Sequence, residues 1–134
     1  MNYKDLNVYQ RAYKVAIDLH HFIDENSKMG VNHSKELYNS SRDILCNIVE
    51  GFRQRTTKAK RFFNFKALDV IRRIQMDLDF LHDIQLISDD DYSLFYNEYD
   101  VCAKQLFKLN NSILEREREK QVETMVTAPA VSAA

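Results

Sequence analysis

Tyr92-Ser93-Leu94-Phe95-Tyr96-Asn97-Glu98-Tyr99-Asp100-Val101-Cys102-Ala103-Lys104-Gln105-Leu106-Phe107-Lys108-Leu109-Asn110-Asn111-Ser112-Ile113 is the stretch that decides the fold. Within it Tyr92, Phe95, Tyr99, Cys102, Leu106, Leu109 and Ile113 are separated by gaps of three and four in strict alternation. That is the heptad spacing of a helix that buries one continuous seam against other helices. Just upstream, Ser88-Asp89-Asp90-Asp91 places a serine three residues before an acid, the capping-box spacing with aspartate in the place of glutamate. The three acids also suit the positive end of a helix dipole. A helix therefore opens at this point.

Working back toward the N-terminus, Phe63, Ala67, Ile71, Ile74, Leu78, Leu81 and Ile84 form a second long stripe, while Phe65, Met76, Phe80 and Ile87 lie off it. A helix of about 30 residues, about 45 Å long, accounts for the stripe. Around Gly51 to Thr57 the apolar pattern breaks, which predicts the end or a bend of the preceding helix, and Thr56 or Thr57 is placed to cap the next one. Before the break, Leu37, Ser41, Ile44 and Ile48 share a face, with Tyr38, Leu45, Val49 and Phe52 beside it. Asn26 to Asn32 reads as a loop, with Asn32 or Ser34 as the cap of that helix. Val8, Ala12, Val15, Leu19 and Phe22 give a first helix from about Leu6 to Glu25.

Four such stripes joined by short connections predict an all-α, antiparallel up-down four-helix bundle. The composition agrees: the 134 residues hold two glycines and one proline, too few turn residues for a β-rich domain. Beyond Leu114 the run Glu115-Arg116-Glu117-Arg118-Glu119-Lys120 sets favourable three-apart pairs against like-charge pairs four apart, so fraying is expected. The division that follows is a bundle domain over residues 1–120 and a disordered C-terminal tail over residues 121–134.

Charges interrupt every apolar stretch before a membrane span is reached, and the first residues lack the apolar block of a secretory signal. A cytoplasmic protein without membrane partners is the expectation. Cys46 and Cys102 are too few for a disulfide framework or a zinc cluster, and both are expected to be small buried hydrophobes.

The formal net charge of −1 conceals a strong segregation. Arg53, Arg55, Lys58, Lys60, Arg61 and Lys66 lie in a segment without acids, and Asp77, Asp79, Asp83, Asp89, Asp90, Asp91, Glu98 and Asp100 in one without lysine or arginine. The bases stand at the start of the third helix and the acids toward its end, the reverse of what its own dipole favours. Phe62, Phe63 and Phe65 interleave with Arg61 and Lys66, a mixture that offers phosphate contacts and stacking surfaces to nucleic acid. A solvated basic face with its phenylalanines turned into the core accounts for the same letters. Tyr9 and Tyr13, Phe62 and Phe65, and Tyr96 and Phe107 form second rows beyond the seams. Such surplus is either scattered surface aromatics or the interface of a symmetric homo-oligomer.

Catalytic chemistry finds no foothold. Asp79 and His82 have the carboxylate-x-x-His spacing of a di-iron bundle, but no second copy exists. His20 and His21 point about 100° apart on a helix, and His33 falls in the predicted loop. No phosphate loop, nucleophile elbow or paired Cys/His motif is present. The expectation is a non-enzymatic protein with no cofactor and no metal.

Asn47-Ile48-Val49-Glu50-Gly51-Phe52, followed by Arg55, Lys58 and Phe63, resembles the "N-I-A-E-G-F" segment and basic stretch of the four-helix bundle protein family. Members of that bacterial family are often encoded in intervening sequences of large-subunit (23S) ribosomal RNA genes. Asp5-Leu6-Asn7-Val8-Tyr9-Gln10-Arg11-Ala12 resembles the family's opening, with Tyr9 in place of tryptophan, and Leu86-Ile87-Ser88-Asp89-Asp90-Asp91-Tyr92 resembles its last turn. Leu45 and Cys46 stand where the family often has proline and serine. Accessory proteins of diversity-generating retroelements are similar bundles that form five-membered rings and bind nucleic acid with a reverse transcriptase. The resemblance implies a homopentamer, RNA or DNA and a reverse transcriptase as partners, and Arg53, Arg55, Lys58, Lys60 and Arg61 as the nucleic-acid-binding residues. The alternative is a protein–protein scaffold in which the same residues meet an acidic surface.

Overall fold

The computed structural model describes residues 1–127. Its helices are α1 (Asn7–Glu25), α2 (Val31–Arg53), α3 (Thr57–Asp83) and α4 (Asp89–Thr127), with short 3-10 turns at Tyr3–Asp5 and Ser27–Met29 and no strand among the described residues. The protein is thus all-α with four helices.

Each predicted stripe lies at the core. Val8, Ala12, Val15 and Leu19 of α1, Leu37, Ser41, Ile44 and Ile48 of α2, Ala67, Ile71, Ile74, Leu78 and Leu81 of α3, and Phe95, Tyr99, Cys102 and Leu106 of α4 are all buried. Fully burying one such leucine or isoleucine contributes about 1.5–3 kcal/mol, so the seams are where the stability resides. Cross-helix pairs fix the directions. Arg72 meets Asp100, Gln75 reaches the carbonyl of Tyr96, and Asp79 accepts from the Tyr92 hydroxyl, so α4 numbers fall as α3 numbers rise. At opposite ends of the α2–α3 contact, Gly51 abuts Asn64 and the His33 ring lies 6.1 Å from that of Phe80. Consecutive helices pack on one another and α4 returns against α1, consistent with the up-and-down order.

The helix ends show which local signals govern. Thr56 caps α3, its hydroxyl accepting from the Ala59 amide at 3.1 Å. The Ser88 hydroxyl accepts from the Asp91 amide at 3.1 Å and donates to the Asp91 carboxylate at 3.0 Å. Only half of a capping box forms there, because the Asp91 carboxylate accepts from the Ser88 hydroxyl and not from its backbone amide, whereas Asp5 completes the box with the Asn2 amide at 3.1 Å. α2 opens at Val31, earlier than the expected caps Asn32 and Ser34. Gly30, at φ 81°, turns the chain in a way L side chains resist, and its carbonyl accepts from Ser34 at 3.2 Å. Ile84 follows the last residue of α3 and is exposed, because the chain leaves the helix there and turns at Gln85 with φ 64°. Cys102 is buried as expected but Cys46 is exposed, being two residues from Ile44 and Ile48 and so off their face.

α4 departs most from expectation. It stays helical past Leu114 and through residues 121–127, which the sequence assigns to a tail; the rest of that tail, 128–134, lies outside the described residues. The run is rich in glutamate, arginine, lysine and glutamine, all good helix formers. The Thr57 hydroxyl donates to Glu117 at 2.9 Å and ties the run to the start of α3. The ten residues after Glu117 therefore extend about 15 Å beyond α3.

Candidate nucleic-acid interface

Gly51 sets the geometry at the basic end. A Cβ there would stand 2.9 Å from Asn64 Oδ1, 3.2 Å from the Lys60 carbonyl and 3.3 Å from Phe63 Cβ, so only glycine lets α2 and α3 approach this closely. The approach buries Asn64, whose Nδ2 donates to Asn110 Oδ1 at 2.8 Å. Asn110 Nδ2 points in turn toward the Arg61 carbonyl at 3.5 Å. Two asparagines thus link α3 to α4 beneath the basic turn, each at most 2% exposed.

Above this link the five predicted cations divide by task. Lys60 Nζ donates to the Phe52 carbonyl at 2.9 Å and lies 5.7 Å from the Phe52 ring centre, neutralising the negative end of the α2 dipole. Arg61 stands 5.5 Å over the Phe65 ring, with its Nε buried and without an acceptor among the described residues. Arg53 is shared between Glu50 at 3.6 Å and the Tyr3 ring at 5.9 Å. Arg55 and Lys58 are exposed and have no ion pair among the described residues. The structure brings all five to one end but leaves only these two wholly available.

Two further cations join them. Arg116 and Lys120, from the part of α4 expected to fray, line with Arg55, Lys60 and one acid, Glu117, a cleft of about 340 Å³. Its floor is apolar, formed by Ile48, Phe52, Leu109 and Ile113, and Asn64 and Gly51 lie at its base. The phenylalanines also separate. Phe62 and Phe65 are 55% and 42% exposed, not turned into the core, and Lys66 stands 5.3 Å over Phe62.

Tyr13 and Phe107 of the second rows are likewise exposed, whereas Tyr9 and Tyr96 pack against the core.

At the acidic end most groups are occupied internally. Glu98 pairs with Arg11 at 2.9 Å, Asp100 with Arg72 and Lys104, and His82 stacks on Tyr92 while contacting Asp89. The hydrogen bond to Asp79, more than burial, pushes Tyr92 up to about 12. Asp79 and His82 are thus members of a structural cluster. Among the described residues no three His, Cys, Asp or Glu side chains are grouped to hold a metal ion, and no helix is long and apolar enough to cross a membrane.

Fold and site together define a four-helix all-α protein with a cluster of cations at one end and a cluster of acids toward the other. The chain belongs to the 23S rRNA-intervening sequence protein family, whose model matches residues 4–108. Arg116 and Lys120 lie beyond the matched segment. A solved structure from Bacteroides thetaiotaomicron, a protein with unknown function from the S23 ribosomal protein family, is similar with a TM-score of 0.75 and 19% identity, covering 81% of this chain and 98% of that one. At that identity the likeness concerns the fold alone. No curated protein matches the chain.

Proposed function

We propose that this protein is a non-enzymatic binding module that holds nucleic acid by its phosphates at the basic end of the bundle. The observation that carries the reading is the convergence of Arg55 with Arg116 and Lys120 around one cleft, beside the exposed Lys58, none of the four in an ion pair among the described residues. Phosphate contacts of this kind give affinity without sequence selection. The exposed Phe62 and Phe65 rings add stacking surfaces. The acidic cluster around Asp79, Asp83 and Asp89 to Asp91 lies beyond a Debye length of about 8 Å along α3, and Glu117 is the one acid in the cleft itself, against the cations Arg55, Lys60, Arg116 and Lys120.

Oligomerisation belongs to the same proposal. Tyr13 and Ile17 on α1, and Phe107 on α4, are apolar surface that a second copy can cover. In a cyclic homopentamer, the number the family resemblance implies, every basic end faces the same way. A reverse transcriptase enters as a partner through that resemblance alone.

Fluorescence anisotropy with labelled RNA and duplex DNA over a salt series tests this reading. One phosphate contact from each of five subunits gives a logarithmic salt slope of about −4 to −5 on duplex DNA. Arg55→Glu with Lys58→Glu should abolish binding while light scattering shows an unchanged oligomer. Equal binding by wild type and double variant, or none by either at low salt, refutes the reading in favour of a scaffold that meets an acidic protein.

A further inference from the structure

We propose that the cleft beneath Arg55, Arg116 and Lys120 receives one unstacked nucleotide of a single strand, with its phosphate on the cationic rim and its base on the apolar floor. This deepens the nucleic-acid reading of the same end and rests on it.

The cleft combines two features that a surface for phosphates alone does not need. The first is depth over apolar side chains: Ile48, Leu109 and Ile113 form a floor into which no phosphate gains by descending. The second is a buried acceptor. Asn64 is 2% exposed and lines the cleft, its Nδ2 is engaged by Asn110, and its Oδ1 receives no N–H or O–H among the described residues. A ligand N–H that reaches that oxygen gains a hydrogen bond there.

The matching ligand has an anionic group, a flat apolar body and an N–H donor at its far edge. A nucleotide has all three, since every base presents an N–H on its pairing edge. The volume of about 340 Å³ lies at the small end of ligand pockets, about 300–1,000 Å³, and takes one base but not a stacked pair. In a duplex that edge is occupied by the partner strand and the base is stacked, so the cleft selects single strands, ends and loops. Because Arg116 and Lys120 lie outside the segment matching the family, the rim is completed by the extended α4 of this chain.

The test compares an oligonucleotide of about 12 residues, within the usual span of single-strand sites, with the same sequence as a duplex. 2-Aminopurine at the strand end reports on the environment of that base. The full chain in its own oligomeric state should bind the single strand at least tenfold more tightly and change the 2-aminopurine emission. Ile113→Trp, which fills the floor, should remove both the preference and the emission change while leaving duplex affinity within twofold. Free adenosine monophosphate should compete with the strand on the unaltered protein, a measurement that does not depend on the variant folding. Equal affinity for strand and duplex without an emission change overturns the inference and leaves phosphate binding standing. Absence of binding to either overturns both.

Discussion

Replacing Asn110 by leucine removes the acceptor at 2.8 Å from Asn64 Nδ2 and leaves that amide donor enclosed between α3 and α4. A buried donor without a partner costs about 1–3 kcal/mol. The second bond of Asn110, to the Arg61 carbonyl, is long at 3.5 Å and adds little. Asn110→Leu should therefore destabilise by about 2 kcal/mol, lowering Tm by about 6–10 °C for a chain of this length. Asn64→Leu strands Asn110 Oδ1 instead and should cost a similar amount. With both replaced no donor or acceptor of the pair is stranded, and leucines of similar volume can pack, so the double variant should be more stable than the sum of the singles by about 1–3 kcal/mol. Urea titrations followed by circular dichroism at one protein concentration measure all four corners of the cycle; fixing the concentration removes any contribution from association. Strict additivity would refute the claim that the two amides form one bonded unit.

Three further outcomes are expected. Gly51→Ala gains about 1 kcal/mol of helix propensity but drives a methyl against Asn64 Oδ1 and the backbone of α3, so a net loss of about 1–2 kcal/mol should appear in the same titrations. Ser88→Ala removes the hydroxyl that caps α4 and should cost about 1 kcal/mol, with faster amide exchange in the first turn of that helix as its signature. Tyr92, raised in the fold chiefly by its hydrogen bond to Asp79, stabilises fully below its unfolded pKa of about 10, and that contribution disappears as pH rises toward about 12. Tyr92→Phe should flatten the loss of stability in this window, and an unchanged slope would show that the Asp79 bond is not made in solution.

The seams were legible in the sequence because period and burial are two expressions of one geometry. The alternating gaps from Tyr92 to Ile113 can bury only one face of a helix, and Phe95, Tyr99, Cys102 and Leu106 are indeed enclosed. Asn64 and Asn110 escaped notice because asparagine suits surfaces. Their signal was positional, since Asn110 stands four residues after Leu106 and three before Ile113, on the buried stripe itself. Arg116 and Lys120 were hidden by a local argument. Like charges four apart weaken an isolated helix, yet the same spacing puts both on one face, where in the fold they join the rim of the cleft. The five predicted cations were found together, but their division into bonded and available members depends on Phe52 and Phe65 lying beneath Lys60 and Arg61, which no spacing within one helix reveals.

A body with a net charge of −1 whose densest cluster of bases and densest cluster of acids stand toward opposite ends is an electrical rod more than a neutral particle. Near neutral pH one pole should grip a sulfonate resin and the other a quaternary-amine resin, so the same preparation is retained by both and released from each by modest salt. Two rods attract pole to pole and, when antiparallel, side to side, which makes solubility rise when ions are added, the opposite of a surface dominated by apolar patches.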